Sequence, residues 1–246
     1  MNKNATLEQL NALRLNGMAR RYEAVLALPS HQQEDAHTLI AMLCQAELEY
    51  KNHYRTERLL KNSRLRYHAV LEEMVCKPER GLTREMLLSL SDGMFITRGQ
   101  NVLISGVTGT GKSHLACALG RTACLMGHKV LYLSMNKFLE AIVQARLDGS
   151  YLKWIKNIAA HAVVILDDFG LKPLSHDAKL TLLDILEDRY GKGSTIITSQ
   201  LPLDKWHVFL NEATIADSIL DRPDSYRVTA DVHKVDLLGS SWRKRK

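Results

Sequence analysis

The sequence predicts an α/β protein: a parallel sheet with helices on both faces, preceded by a small all-helical module. Three observations carry this. Apolar runs at 102–104, 130–133 and 162–166 alternate with longer segments whose apolar residues recur at helical spacing. Runs that are apolar at consecutive positions suit strands covered on both sides, and the strand–helix alternation calls for parallel pairing. Residues 1–78 contain no β-rich window, and Pro78 and Gly81 punctuate a polar patch, so the expected division is 1–78 and 79–246.

In the first module, Thr6 and Gln9 form a capping box ahead of Leu7, Leu10 and Leu13. Asn16 and Gly17 break that helix, and Met18, Tyr22 and Val25 resume an apolar face until Pro29 stops it. A long helix is predicted from about Asp35 to Tyr54 or beyond, through Leu39, Met42, Leu43, Ala46 and Tyr50. The stretch 51–67 carries Lys51, Arg55, Arg58, Lys61, Arg64 and Arg66 against one acid, Glu57, with Tyr54 and Tyr67 interleaved. That pattern fits a surface meeting phosphates and sugars, and equally a solvated helix face with a basic bias. A second basic cluster occupies 243–246.

A short helix is expected at 84–90, and 95–100 lies where the adenine pocket of such folds often receives chain. After the glycine-rich stretch at 106–113, a helix over 113–126 stops at Gly127. The strand at 130–133 leads into a helix at 135–147 carrying Phe138, Leu139, Ile142 and Val143, and a further short helix starts at Tyr151. Beyond the run at 162–166, Ser175 caps a helix through Leu180, Leu183, Leu186 and Tyr190, which Gly191 closes. The next strand is 194–198.

Composition sets the class. The 246 residues suffice for one sizeable core with an appendage, and 46% hydrophobic with 24% charged residues is ordinary for a soluble globular protein. No apolar stretch approaches the roughly 20 residues of a membrane span, and the first residues lack the apolar centre of a signal peptide. A cytoplasmic protein with no membrane partner is expected. Cys44, Cys76, Cys117 and Cys124 form no C-x-x-C pair and ten histidines no H-E-x-x-H pattern, so incidental thiols are expected, one of the last two buried. A net charge of +6 favours a polyanionic partner mildly.

The residues from Gly106 through Val107, Thr108, Gly109, Thr110, Gly111, Lys112, Ser113 and His114 name a ligand. They match G-x-x-x-x-G-K-[ST] between a strand and a helix, the setting in which backbone N–H groups cradle a phosphate chain. The glycines permit the turn and the close approach, and the following helix points its positive end at the same place. Lys112 is expected on the β and γ phosphates and the Ser113 hydroxyl on Mg²⁺, so ATP with Mg²⁺ is the expected ligand pair. Asp167 and Asp168 follow the run at 162–166, at the strand end where parallel sheets bind ligands. Asp167 is assigned to Mg²⁺ and Asp168 to orienting or deprotonating the attacking water. Thr198, Ser199 and Gln200, at the end of the last strand, come within reach of a γ-phosphate or its water, or form an ordinary polar strand end.

These three elements resemble the Walker A, Walker B and sensor 1 motifs of AAA+ ATPases, and the Asp167–Asp168 pair resembles the branch holding DnaA initiators and DnaC loaders. The details at 13–18, 166–171, 195–202 and 216–222 are similar to the IstB-like helper ATPases of bacterial insertion sequences. The resemblance implies an ATP-controlled homo-oligomer that loads on duplex DNA, largely without sequence preference, and assists a cognate transposase in target selection. It implies hydrolysis dependent on assembly, with Arg222 as the arginine finger reaching a neighbouring subunit. Arg243, in a stretch resembling the family's closing motif, is a candidate nucleotide or DNA contact. Pro223 breaks the family's helical continuation after Arg222, and the 46 residues after Gln200 make an abbreviated lid. A DnaC-like helicase loader, a monomeric P-loop small-molecule kinase and a DNA-binding protein whose site never turns over are the other readings.

Overall fold

A computed structural model describes residues 3–29, 34–211 and 233–238, and structural statements concern these residues. The chain divides into two units, Met1–Arg58 and Leu59–Lys246. The first holds α1 (Lys3–Ala12), α2 (Asn16–Leu26) and most of α3 (Ala36–Ser63). Helix α1 begins ahead of Thr6, so the expected capping box does not start it. Helix α2 begins without a side-chain cap. Instead, the buried Glu47 of α3 accepts the N–H groups of Gly17 at 2.7 Å and Met18 at 3.1 Å, a carboxylate serving the positive end of a helix from across the unit. Gly17 permits that approach, because a Cβ there would lie 2.4 Å from the Ala46 carbonyl oxygen. Helix α3 has its own cap in Asp35, whose Oδ1 accepts from the backbone of His37 and Thr38.

The division falls at residue 58, ahead of the expected 78. Beyond Ser63 the helix ends at Arg64 in a left-handed conformation (φ 57°), and 64–83 holds only single turns at Leu71–Glu73 and Pro78–Arg80. Helical character thus stops short of residue 78. The segment instead buries Ala69, Leu71 and Leu82 in the core of the second unit.

That unit continues with α4 (Arg84–Ser91), α5 (Met94–Thr97), β1 (Val102–Gly106), α6 (Lys112–Leu125), β2 (Val130–Ser134), α7 (Met135–Leu147), α8 (Tyr151–Ala159), β3 (Val163–Phe169), α9 (His176–Arg189), β4 (Ser194–Ser199), α10 (Trp206–Leu210) and β5 (His233–Leu237). The sheet order is β2-β3-β4-β1-β5, with every pair parallel. Val102, Ile104, Val130, Val163 and Ile165 face one way, against Leu115 and Leu119 of α6. Leu103, Leu131, Val164, Leu166 and Ile197 face the other, against α7, α8, α9 and Trp206. Both faces are covered, which is why the strand runs are continuously apolar. Gly120 lets α6 lie close to the sheet, since a Cβ there would meet Ile165 at 2.7 Å. Cys117 and Cys124 are both buried, where one was expected. Strand β5 has the buried alternation of Val235 and Leu237, a signal too short to read ahead of the structure. No described helix is long and apolar enough to cross a membrane.

Candidate functional site

Strand β1 ends at Gly106, where a Cβ would lie 2.3 Å from the Leu237 carbonyl oxygen, so only glycine lets β5 pass beside the loop. Gly109 (φ 87°) and Gly111 (φ 101°) adopt left-handed backbone, and Gly111 precedes the first turn of α6. The loop is held by its own groups: the Thr110 hydroxyl donates to the Val107 carbonyl at 2.9 Å, and Lys112 Nζ to the same oxygen at 2.9 Å. Burial lowers the Lys112 pKa from the usual lysine value, while Asp168 and Asp167 oppose that shift. The ammonium is thus stripped of water and faces two carboxylates.

Those carboxylates come from an irregularity in β3. Leu166 pairs with Ile197 and Phe169 with Ser199, so three steps on β3 match two on β4. Asp168 takes a left-handed conformation (φ 65°), which aspartate tolerates better than most residues. Thr198 ties the bulge together, accepting from the Asp168 N–H at 3.1 Å and donating its hydroxyl proton to Asp167 Oδ1.

Asp167 is fully buried, yet its oxygens face hydroxyls on every side. Ser113 Oγ donates to Oδ1 at 2.7 Å, and the Tyr132 hydroxyl donates to Oδ2. Burial, then the bond to Asp167, pushes the Tyr132 phenol well above the tyrosine range, so it remains a donor. Arg66 Nη1 lies 3.5 Å from Asp168 Oδ2 and 3.8 Å from Asp167 Oδ2, its guanidinium over the Tyr67 ring at 5.2 Å. Tyr132 beside it raises the Arg66 pKa, against an opposing effect of burial.

A cleft of about 470 Å³ opens over these groups. Its polar wall includes Thr108, Lys112, Ser113, Asp168 and Gln200, and its apolar side Met74, Val75, Leu82 and Leu237. His114 lines it too, its ring tilted against Tyr67 at 5.9 Å. Gln200 Oε1 accepts from the Thr108 hydroxyl at 2.6 Å, joining the last strand's end to the loop. Ser199 does not line the cleft. It is buried, donating to the Phe169 carbonyl at 2.8 Å and accepting from the Leu201 N–H at 3.0 Å. Residues 95–100, the expected adenine approach, are absent from the lining, and Phe95 and Ile96 are core residues. Residues between 66 and 82 line the cleft instead.

The structure therefore brings Lys112, Ser113, Asp167, Asp168 and Gln200 together and turns Ser199 away. Arg222, Arg243 and most of the abbreviated lid lie outside the described residues. The sequence does not single out Arg66 or Tyr132, and it marks Thr198 only as part of a polar strand end, without its bond to Asp167. Arg66 was hidden in a basic run, Tyr132 in an apolar strand, and Thr198 in a strand end whose inward and outward positions depend on the bulge.

The family described as IstB-like ATP binding protein matches residues 8–246. The insertion sequence ATP-binding protein y4pL of Sinorhizobium fredii is 38% identical over 97% of this chain and 96% of its own. The IS1162 ATP-binding protein of Pseudomonas fluorescens is 40% identical over 80% and 86%. Among solved structures, a DnaC helicase loader superimposes with a TM-score of 0.56 at 20% identity, covering 69% of this chain and 97% of that one. The replication initiator DnaA, bound to AMPPCP and single-stranded DNA, gives 0.56 at 18%, covering 70% and 51%. At these identities the two structures speak for the fold, a P-loop AAA+ core.

Proposed function

Because this chain belongs to the IstB-like ATP-binding proteins, we propose that it is an ATP-hydrolysing helper of an insertion sequence, which oligomerises on duplex DNA with ATP and assists a transposase in target selection. One observation carries the catalytic part: Ser113 and Asp167 are hydrogen-bonded at 2.7 Å, beside Asp168 and behind the loop of Lys112.

The loop N–H groups and the positive end of α6 hold the phosphate chain. Lys112 exchanges the Val107 carbonyl for the β and γ phosphates; its partly desolvated charge acts strongly there. The adjacent hydroxyl and carboxylate of Ser113 and Asp167 fit Mg²⁺, a hard cation that takes one or two protein oxygens and completes its shell with phosphates and water. Held by Ser113 and Asp167, the ion would supply neutralisation of the phosphate charge. Asp168, rotated into the cleft by its left-handed backbone, orients the attacking water and accepts its proton. Gln200, anchored to Thr108, hydrogen-bonds the terminal phosphate or that water. Ser199 acts on this set only by bracing the strand end. The apolar side from Met74 to Leu82 receives the base.

Arg222 is proposed to complete the site of a neighbouring subunit, so that turnover follows assembly. Arg243 is proposed to touch nucleotide or DNA. Lys51, Arg55 and Arg58 are exposed on α3 and are proposed to meet DNA phosphates. Binding then falls steeply with salt and shows little sequence preference.

The test is sedimentation velocity of the protein with duplex DNA and Mg²⁺, comparing ATP with ADP, alongside phosphate release. A large protein–DNA assembly with ATP alone, and release that rises with assembly, is expected. A monomer under both nucleotides that ignores DNA discards the transposition reading. Assembly with a hexameric helicase in place of DNA turns it into a loader.

A further inference from the structure

We propose that Arg66 is a γ-phosphate-recognising residue acting in cis: its guanidinium guards the two carboxylates while the site awaits nucleotide and moves onto the terminal phosphate when ATP binds. This deepens the ATP reading above and rests on it.

Arg66 lines the same cleft as Lys112, Ser113 and Asp168. Its Nη1 is 3.8 Å from Asp167, the carboxylate that holds Ser113 at 2.7 Å, so the guanidinium stands one carboxylate's width from the hydroxyl assigned to the metal and terminal phosphates. The separations to Asp167 and Asp168, 3.8 and 3.5 Å, exceed the 2.7–2.9 Å of a formed charge-assisted hydrogen bond. The cation is thus ion-paired with both acids at long range, with the Tyr132 hydroxyl as its hydrogen-bond neighbour.

Its seat suits a swing. The guanidinium lies over the Tyr67 ring at 5.2 Å, a contact weak enough to exchange for a phosphate, and the side chain remains about half exposed. A terminal phosphate adds roughly two negative charges where two carboxylates already stand. Lys112 and Arg66 both stand beside these acids on the cleft wall, so Arg66 adds a second positive charge to that of Lys112 there. Its planar fork matches two phosphate oxygens at once, which an ammonium does not. ADP lacks those oxygens, so the contact discriminates between the two nucleotides.

The experiment is equilibrium binding of AMPPCP and of ADP, each with Mg²⁺, to the full chain and to Arg66→Ala and Arg66→Lys. Arg66→Ala is expected to weaken AMPPCP about tenfold or more, the worth of a hydrogen bond to a charged group, and ADP by less than about twofold. Arg66→Lys is expected to fall between. Should Arg66→Ala melt below the binding temperature, Arg66→Gln, which keeps a longer polar side chain without the charge, carries the same expectation. Equal loss for both nucleotides, or none, overturns the role of Arg66 and leaves the ATP site standing. Failure of the unmodified chain to bind either nucleotide overturns the ATP reading itself.

Discussion

The two ends of the parallel sheet each bury a charge, and they treat it differently. At the carboxyl end, Asp167 is met by the hydroxyls of Ser113, Tyr132 and Thr198, and Ser113 and the adjoining Asp168 line an open cleft. At the amino end, Arg189 of α9 is 2% exposed and donates to five neutral oxygens: the carbonyls of Ile158, His161, Ala162 and Ser194, and the Thr195 hydroxyl. It thereby closes the C-terminal turn of α8 and the starts of β3 and β4, where carbonyls collect partial negative charge. Burial lowers its pKa to about 10, which leaves it charged at neutral pH. The first charge has side-chain hydroxyl partners, one of which lines the cleft; the second has mostly backbone partners, none of which does. A buried charge beside open space serves chemistry, and one saturated by backbone serves the fold.

The largest test of that contrast is Arg189→Met. It removes five hydrogen bonds, although the Ile158 and Ala162 carbonyls keep backbone donors in His161 and Ser194, and is expected to cost about 3–5 kcal/mol in urea unfolding. Nucleotide affinity of the folded fraction should stay within twofold; a coupled loss would show that the two ends are not separate. At the other end, Lys112→Ala is expected to lower phosphate release at least about a hundredfold. Its melting temperature without nucleotide should hold or rise, because the change removes a desolvated ammonium. A variant that both hydrolyses and assembles normally would remove the loop from the mechanism.

A smaller effect separates the first unit from both ends. Gly17→Ala places a methyl 2.4 Å from the Ala46 carbonyl oxygen and is expected to destabilise that unit by about 1–3 kcal/mol. Hydrogen exchange at 17 and 18 should accelerate while nucleotide affinity is unmoved. The least effect concerns the core between the ends. Burial raises the Cys124 thiol to about 11, above its ordinary 9.0. The folded state therefore keeps a proton that the unfolded chain loses, so this contribution is whole below pH 9 and fades as pH rises toward 11. Cys124→Ala should flatten that part of the slope in unfolding measured at pH 8 and pH 10.

The sheet's inner strands and the phosphate loop were legible because their causes are local. A strand covered on both faces must be apolar at every position, and a loop that wraps phosphates must have glycines where the backbone turns left-handed. Strand β5 was not legible, since its pairing with β1 joins residues some 130 positions apart in a five-residue element. The unit boundary was misplaced for a related reason: Pro78 and Gly81 do mark a turn, but the burial of Ala69 and Leu71 assigns the preceding stretch to the core.

By itself, the sequence determined the kind of ligand and the form of the glycine-rich loop, because Gly106 through Ser113 carry their geometry in their own backbone preferences, with Asp167 and Asp168 at a strand end. Only the tertiary structure decided which neighbours those groups would have. The bulge in β3 turns Thr198 toward Asp167 and Ser199 away from the cleft. A segment read as a basic helix carries Arg66 to the two acids. The physical reason is that a side chain's direction depends on register and packing, and no spacing along the chain encodes either one.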